Sequence, residues 1–180
     1  MAAEGRAKLS VFLIVKDEAA RLPRTLEAVR GIADQVVVVD SGSTDETVAL
    51  AQAAGAETSF RAWDGYGAQK RFAEGLCRHD WLLNLDADEV ATEALAEEIA
   101  ALLAGDPAPA AYEIRILNVY PGDAAPRPFA DDYRVVRLYH RSAGAYRDHP
   151  LFDRVEPTGE VKRLGAPIHH FPILPWHGLV

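Results

Sequence analysis

Trp81 to Val90 reads W-L-L-N-L-D-A-D-E-V, passing from apolar to acidic within a few residues, as a buried strand does where it ends at a site. In an extended chain residues two apart share a face, so Asp86 and Asp88 are expected to point the same way. Two carboxylates about 5 Å apart repel by roughly 3 kcal/mol at an effective dielectric near 20, so the pair needs a compensating partner. Two readings are open. One is a hard divalent cation that also holds the phosphate oxygens of a substrate. The other is a solvated turn opening a helix, where acidic residues suit the positive end of the dipole.

Upstream, Leu9 to Val15 and the valine run ending at Val39 are almost continuously apolar, the pattern of strands covered on both faces. Helical spacing follows each. Leu22, Leu26 and Val29 repeat at four and three residues, with Pro23 in the first turn, and Val48 to Ala54 is closed by Gly55. Between them, S-G-S-T-D-E predicts a turn at Gly42 and a capping box from Ser43 to Glu46. Asp40 has no such task in the sequence and stands at the carboxyl end of a buried strand, where open α/β sheets bind ligands.

Ala56 to Phe60 predicts a strand nearer an edge. The stretch W-D-G-Y-G-A-Q-K-R-F-A then gives a glycine loop and a helix carrying Lys70 and Arg71 in its first turns. Cations there oppose the helix dipole, a cost that a nearby anion would offset; plain solvation is the alternative. Phe72, Leu76 and Cys77 are the expected buried face of this helix. Thr92 is the expected cap of an alanine-rich helix ending near Gly105. Strand and helix thus alternate four times over roughly the first 105 residues, which argues a parallel three-layer sheet.

The remainder differs. Tyr112 to Leu117 and Tyr133 to His140 read as strands, separated by a Pro-Gly-Ala loop from Pro121 to Pro128. An irregular segment and a short strand, Glu160 to Leu164, follow. Overall, 180 residues with 49% hydrophobic and 26% charged side chains suit one soluble domain. A net charge of −8 argues against nucleic acid as a partner. Cys77 is the only cysteine, so no internal disulfide forms, and a reducing compartment fits. No apolar run reaches the length of a membrane span, and the N-terminus lacks a signal-peptide pattern. A cytoplasmic protein is expected, or one held peripherally at the inner face of the plasma membrane.

Taken together, S-V-F-L-I-V-K-D-E-A, V-V-V-V-D-S-G-S-T-D-E-T, D-G-Y-G-A-Q-K-R and L-N-L-D-A-D-E resemble family 2 glycosyltransferases, most of all the lipopolysaccharide core β-1,4-glucosyltransferase branch. The resemblance implies one GT-A domain over 1–180, a three-layer α/β/α fold with a mostly parallel central sheet and a mixed β C-terminal part. Residues 1–105 would be the nucleotide-sugar half and 106–180 the acceptor half; its apolar C-terminus is expected either to pack back on the core or to mark a shortened chain.

The implied activity is inverting transfer of a hexose from a nucleotide-diphosphate sugar, with UDP-hexose the expected donor, to a saccharide or lipid-linked saccharide of the cell envelope. The implied cofactor is Mn²⁺ or Mg²⁺. By position, Asp40 and Gly42 would meet the nucleotide base, with Val15, Asp17 and Glu18 lining the same pocket. Asp86 would lie at the ribose, Lys70 near the donor, and Asp88 on the metal, with Asp86 beside it and His169 or His170 completing the shell. The general base that inversion requires would be Asp153, with Asp148 and Asp132 as alternatives. Phe152 stands where relatives carry a histidine. A degenerate or truncated GT-A domain that binds nucleotide or a protein partner without turnover is the alternative reading. Phosphatase and dehydrogenase readings fail on motif position: the Asp-x-Asp follows the fourth strand, and no G-x-G-x-x-G occurs.

Overall fold

A computed structural model describes residues 5–147 and 153–172. The three apolar runs become the strands β1 (Leu9–Val15), β2 (Gln35–Asp40) and β4 (Trp81–Asn84), and β3 (Glu57–Phe60) lies at the edge, as its weaker hydrophobicity predicts. They form a parallel block in the order β3-β2-β1-β4. The connecting helices are α1 (Leu22–Val29), α2 (Thr47–Ala53) and α3 (Tyr66–Leu76). After β4 come β5 (Glu89–Ala91) and α4 (Glu93–Ala104), capped by the Thr92 hydroxyl, which accepts from the Leu95 amide at 3.2 Å.

The rest of the chain enters the same sheet. β6 (Ala111–Asn118) and β7 (Asp132–His140) form an antiparallel pair, and β7 lies against β4. β10 (Val161–Arg163) and β11 (Ile168–His170) both join β6, and β11 carries β5 on its other side. The stretch read as irregular holds a small antiparallel hairpin, β8 (Gly144–Tyr146) and β9 (Val155–Pro157). Strands of three residues carry too little alternation to stand out in a sequence.

Alternation along β1 divides the core between the two sheet faces. Leu9, Val11, Leu13 and Val15 meet α1 and α4 through Leu22, Leu26, Leu95, Ile99 and Leu103. Phe12 faces the other way, toward Ala73 of α3, Cys77 just past its end and Tyr146 of the hairpin. Burying each of these leucines or the phenylalanine contributes about 1.5–3 kcal/mol.

Two local expectations are corrected. The capping box does not form: α2 starts at Thr47 without a side-chain cap, because the Ser43 hydroxyl donates to Asp40 and accepts from the Asp17 amide. Helix α3 buries Gly67, Ala68, Gln69, Lys70 and Ala73; of the expected face, Cys77 just past the helix is buried and Phe72 is half-buried against the core, but Leu76 is exposed.

Candidate functional site

The parallel register brings the carboxyl ends of β1 and β2 level, with Val15 opposite Asp40. β4 ends earlier, at Asn84 opposite Phe12. The Asp-x-Asp therefore lies not on a strand but in a turn, closed where the Glu89 amide donates to the Asp86 carbonyl at 3.0 Å. The turn gives the two carboxylates different partners. Asp86 Oδ1 lies 2.9 Å from Lys70 Nζ, and Asp86 Oδ2 accepts from Arg137 at 2.8 Å. Asp88 Oδ2 lies 3.3 Å from both Arg21 and His170 Nε2.

Lys70 is the hub. Its side chain is 0% exposed, and its ammonium also donates to Asp153 Oδ2 at 2.8 Å. Placed early in α3, it is neutralised by carboxylates of the protein itself, so neither solvation nor a bound anion is what balances it. It lies beneath the floor of the groove. Burial alone would lower its pKa, but Asp86 and Asp153 outweigh that and raise it.

Arg137 is the second buried cation, and sequence reasoning missed it. The β6–β7 register slips between Tyr112, opposite Leu138, and Glu113, opposite Val136. Arg137 is the extra residue of this bulge, and a bulge re-aims the side chain it carries. Its guanidinium reaches Asn84 Oδ1 at 2.6 Å, Asp86 at 2.8 Å and Glu89 Oε1 at 2.5 Å. The Tyr146 hydroxyl donates to the same Asn84 oxygen at 2.6 Å. Burial raises the Glu89 pKa against the pull of Arg137.

For Asp86, burial pushes the pKa up, but Lys70 and Arg137 together hold it well below the ordinary carboxylate range. A depressed folded pKa contributes stability that is fully present above the unfolded value near 3.9 and is lost as pH falls toward the folded one. The stability gap between wild type and Asp86→Asn, read from urea midpoints, is therefore expected to shrink steadily below about pH 4. A gap that stays constant from neutral to strongly acidic pH counts against this coupling.

A groove of about 770 Å³ opens above the network, with Asp86, Asp88, Asp153 and His170 on its walls. At one end, Ile14 and Tyr66 connect it to a hollow of about 390 Å³ formed by Val15, Glu18, Ser41, Trp63 and Tyr66. Trp63 and Tyr66 meet edge to face with centroids 4.8 Å apart, and each is half exposed. The W-D-G-Y stretch was legible only as a loop, although an exposed aromatic pair beside two glycines is a signal for a flat ligand.

Several expected residues are placed differently. Asp40 has a structural task after all: its carboxylate accepts from the Gly42 amide at 2.9 Å and from the Ser43 amide at 3.1 Å, and it lines neither cavity. Gly42, at φ 105°, serves that turn. Asp17 accepts from the Thr44 amide at 2.7 Å and faces neither cavity. Glu18 lines both and is forked by Arg21. Asp132 pairs with Arg115 away from the groove. Asp148 lies outside the described residues, as do Phe152 and the apolar C-terminus from residue 173 on.

The two histidines separate because neighbours on a strand face opposite ways. His170 Nδ1 lies 2.8 Å from Asn118 Oδ1, and its hydrogen bond to Asp88 raises its pKa. His169 packs edge-on to Phe171, outside the groove. The group that fits a divalent cation is accordingly Asp88 with His170: a carboxylate and an imidazole whose other nitrogen is already oriented. Among the described residues no three His, Cys, Asp or Glu side chains are placed to hold one metal ion together, so the remaining ligands would come from substrate and solvent.

The chain is similar to known proteins in sequence and fold. Glycosyl transferase family 2 matches residues 10–155. An uncharacterized glycosyltransferase of Rickettsia bellii is 43% identical over 175 residues, covering 91% of this chain and 60% of its own length. The lipopolysaccharide core biosynthesis glycosyltransferase LpsC of Rhizobium meliloti is 33% identical over 174 residues, covering 92% and 64% respectively. The chain thus spans about three fifths of the curated relatives it matches. The crystal structure of Staphylococcus aureus TarS 1–349 in complex with UDP-GlcNAc superposes with a TM-score of 0.66 at 14% identity, over 94% of this chain and 60% of that one. With sequence and fold in agreement, the chain belongs to glycosyl transferase family 2 and has its GT-A fold.

Proposed function

We propose that this chain transfers a hexose from a UDP-sugar to a saccharide acceptor with inversion at the anomeric carbon. The observation that carries the reading is Lys70 held between Asp86 and Asp153, which ties a carboxylate of the donor half to one of the acceptor half across a single groove. The flat base fits the hollow walled by Trp63 and Tyr66. Asp86 keeps oxygen lone pairs toward the groove for the ribose hydroxyls, while its other capacity is taken by Lys70 and Arg137. Asp88 and His170 would hold Mn²⁺ or Mg²⁺ against the diphosphate, where the ion supplies positive charge for the departing nucleoside diphosphate.

The acceptor side rests on Asp153. Lys70 pins Oδ2 and orients the carboxylate, leaving Oδ1 to take the proton of the attacking hydroxyl. Attack from the face opposite the diphosphate gives inversion. The name of LpsC supports an envelope glycan as acceptor. No described helix is long and apolar enough to cross a membrane, so a lipid-linked acceptor would be met at the membrane surface.

Binding of UDP at about 100 times its Kd is expected to raise the melting temperature by about 5–10 °C in the presence of Mn²⁺. Asp88→Ala should abolish the metal-dependent part of that rise. No shift with any nucleoside diphosphate would overturn the donor site. A full shift without transfer or donor hydrolysis would favour a binding domain without turnover.

A further inference from the structure

The groove does not stop at Asp153. It continues over the outer part of β6, β7, β9 and β10, past Glu113, Arg134, Arg154 and Val161, and this arm has an unbalanced charge. Nearly every ionised side chain on the groove wall has a partner of its own: Arg137 with Asp86 and Glu89, Glu18 and Asp88 with Arg21, Asp153 with Lys70, Glu113 with Arg163. Two cations are left over. Arg134 is exposed, and its described side-chain contact is one long bond, 3.5 Å, to the Leu164 carbonyl. Arg154 is exposed and pairs with no carboxylate among the described residues.

In a chain of net charge −8, these two guanidinium groups share one groove wall, and neither has a carboxylate partner among the described residues. Arginine presents a planar fork of donors that matches phosphate or carboxylate oxygens, and charge-assisted bonds of this kind are about twice as strong as neutral ones. Beside them, Tyr133 lines the groove with half its surface exposed, offering a flat apolar face to a pyranose ring.

We propose that this arm is an anion-recognising acceptor subsite, and that the acceptor saccharide carries a phosphate or carboxylate group read by Arg134 and Arg154. The proposal rests on the glycosyl-transfer reading for the word acceptor, but binding of an anionic sugar is measured independently of it. Arg134 holds the anion from the sheet, and Arg154 from the strand entry next to Asp153. The anion thereby fixes which hydroxyl of the sugar comes to the base.

The test is calorimetric titration of the full chain with glucose, glucose 6-phosphate and glucuronate, each with and without UDP and Mn²⁺ to occupy the diphosphate region. At least one anionic sugar should bind about tenfold more tightly than glucose, and the stronger of the two identifies phosphate or carboxylate. The Arg134→Gln/Arg154→Gln variant, shown to be folded by its melting curve, should lose that preference. Equal affinity for the neutral and anionic sugars, a preference that survives in the variant, or no binding of either anionic sugar at tens of millimolar would each overturn the proposal. Failure of UDP to bind would instead fall on the donor reading, since the anionic preference and its loss in the variant are read without UDP as well.

Discussion

Asp153→Asn is expected to lower the rate of sugar transfer by about 10²–10⁴-fold, the range for loss of a positioned general base. The affinity for UDP should stay close to wild type, because Asp153 is held by Lys70 and makes no hydrogen bond or ion pair with Asp88 or His170. The amide is nearly isosteric and can still accept from Lys70 through its oxygen, so the ammonium keeps both neighbours and the fold is preserved. What disappears is the basic oxygen. Single-turnover transfer with UDP-hexose, alongside a UDP titration, separates the two quantities. Transfer within tenfold of wild type would show that the base lies elsewhere, with Asp148 next in order. A parallel loss of UDP binding would mean that Asp153 serves the donor site.

The largest stability effect is expected from Arg137→Met. Arg137 is almost fully buried and is shared by Glu89, Asp86 and Asn84. Methionine fills much of the same volume, so the loss is one of charge and hydrogen bonding rather than packing. Removing one member of a buried ion pair costs about 3–5 kcal/mol, because the partner stays buried and uncompensated. Glu89, at 1% exposure, is that partner. Urea denaturation should show a lower midpoint with an unchanged slope. Adding Glu89→Gln should restore part of the loss, making the double variant less unstable than the sum of the single ones. A loss below about 1 kcal/mol would place the network among surface pairs, which contribute little.

The two buried cations show why part of the site was legible in the chain and part was not. Lys70, Asp86 and Asp88 appeared as candidates because strand ends and helix starts follow from runs of apolar residues; Asp153 and His170 appeared only through the family resemblance. Their pairing did not. Y-R-V-V-R-L-Y-H announces a strand, but only the bulge turns Arg137 into the polar network, and no glycine or other local feature marks the bulge. Asp86 and Asp88 were expected to share one face because extended geometry was carried past the strand end at Asn84 as far as Asp88; in the turn they find different partners, Asp86 with Lys70 and Arg137 and Asp88 with Arg21. With Asp40 the signal was available. An aspartate followed by Ser-Gly-Ser has backbone N–H groups two and three residues on, within reach of its own carboxylate, and those amides hold it.

The sheet order has a further consequence, for the chain as it leaves the ribosome. β4 is flanked in the finished sheet by β7, and β5 finds its partner only in β11. Until those later strands are made, the edge of β4 presents unpaired amides and carbonyls beside a large apolar surface, and the Asp86 turn lacks Arg137. A nascent chain that has released only its first four strand–helix units is therefore a sticky intermediate, open to edge-to-edge association. Closure by pairings so distant in sequence is slow. Asp86 and Asp88 thus acquire Arg137 and His170 last, and the network becomes complete only when the sheet does.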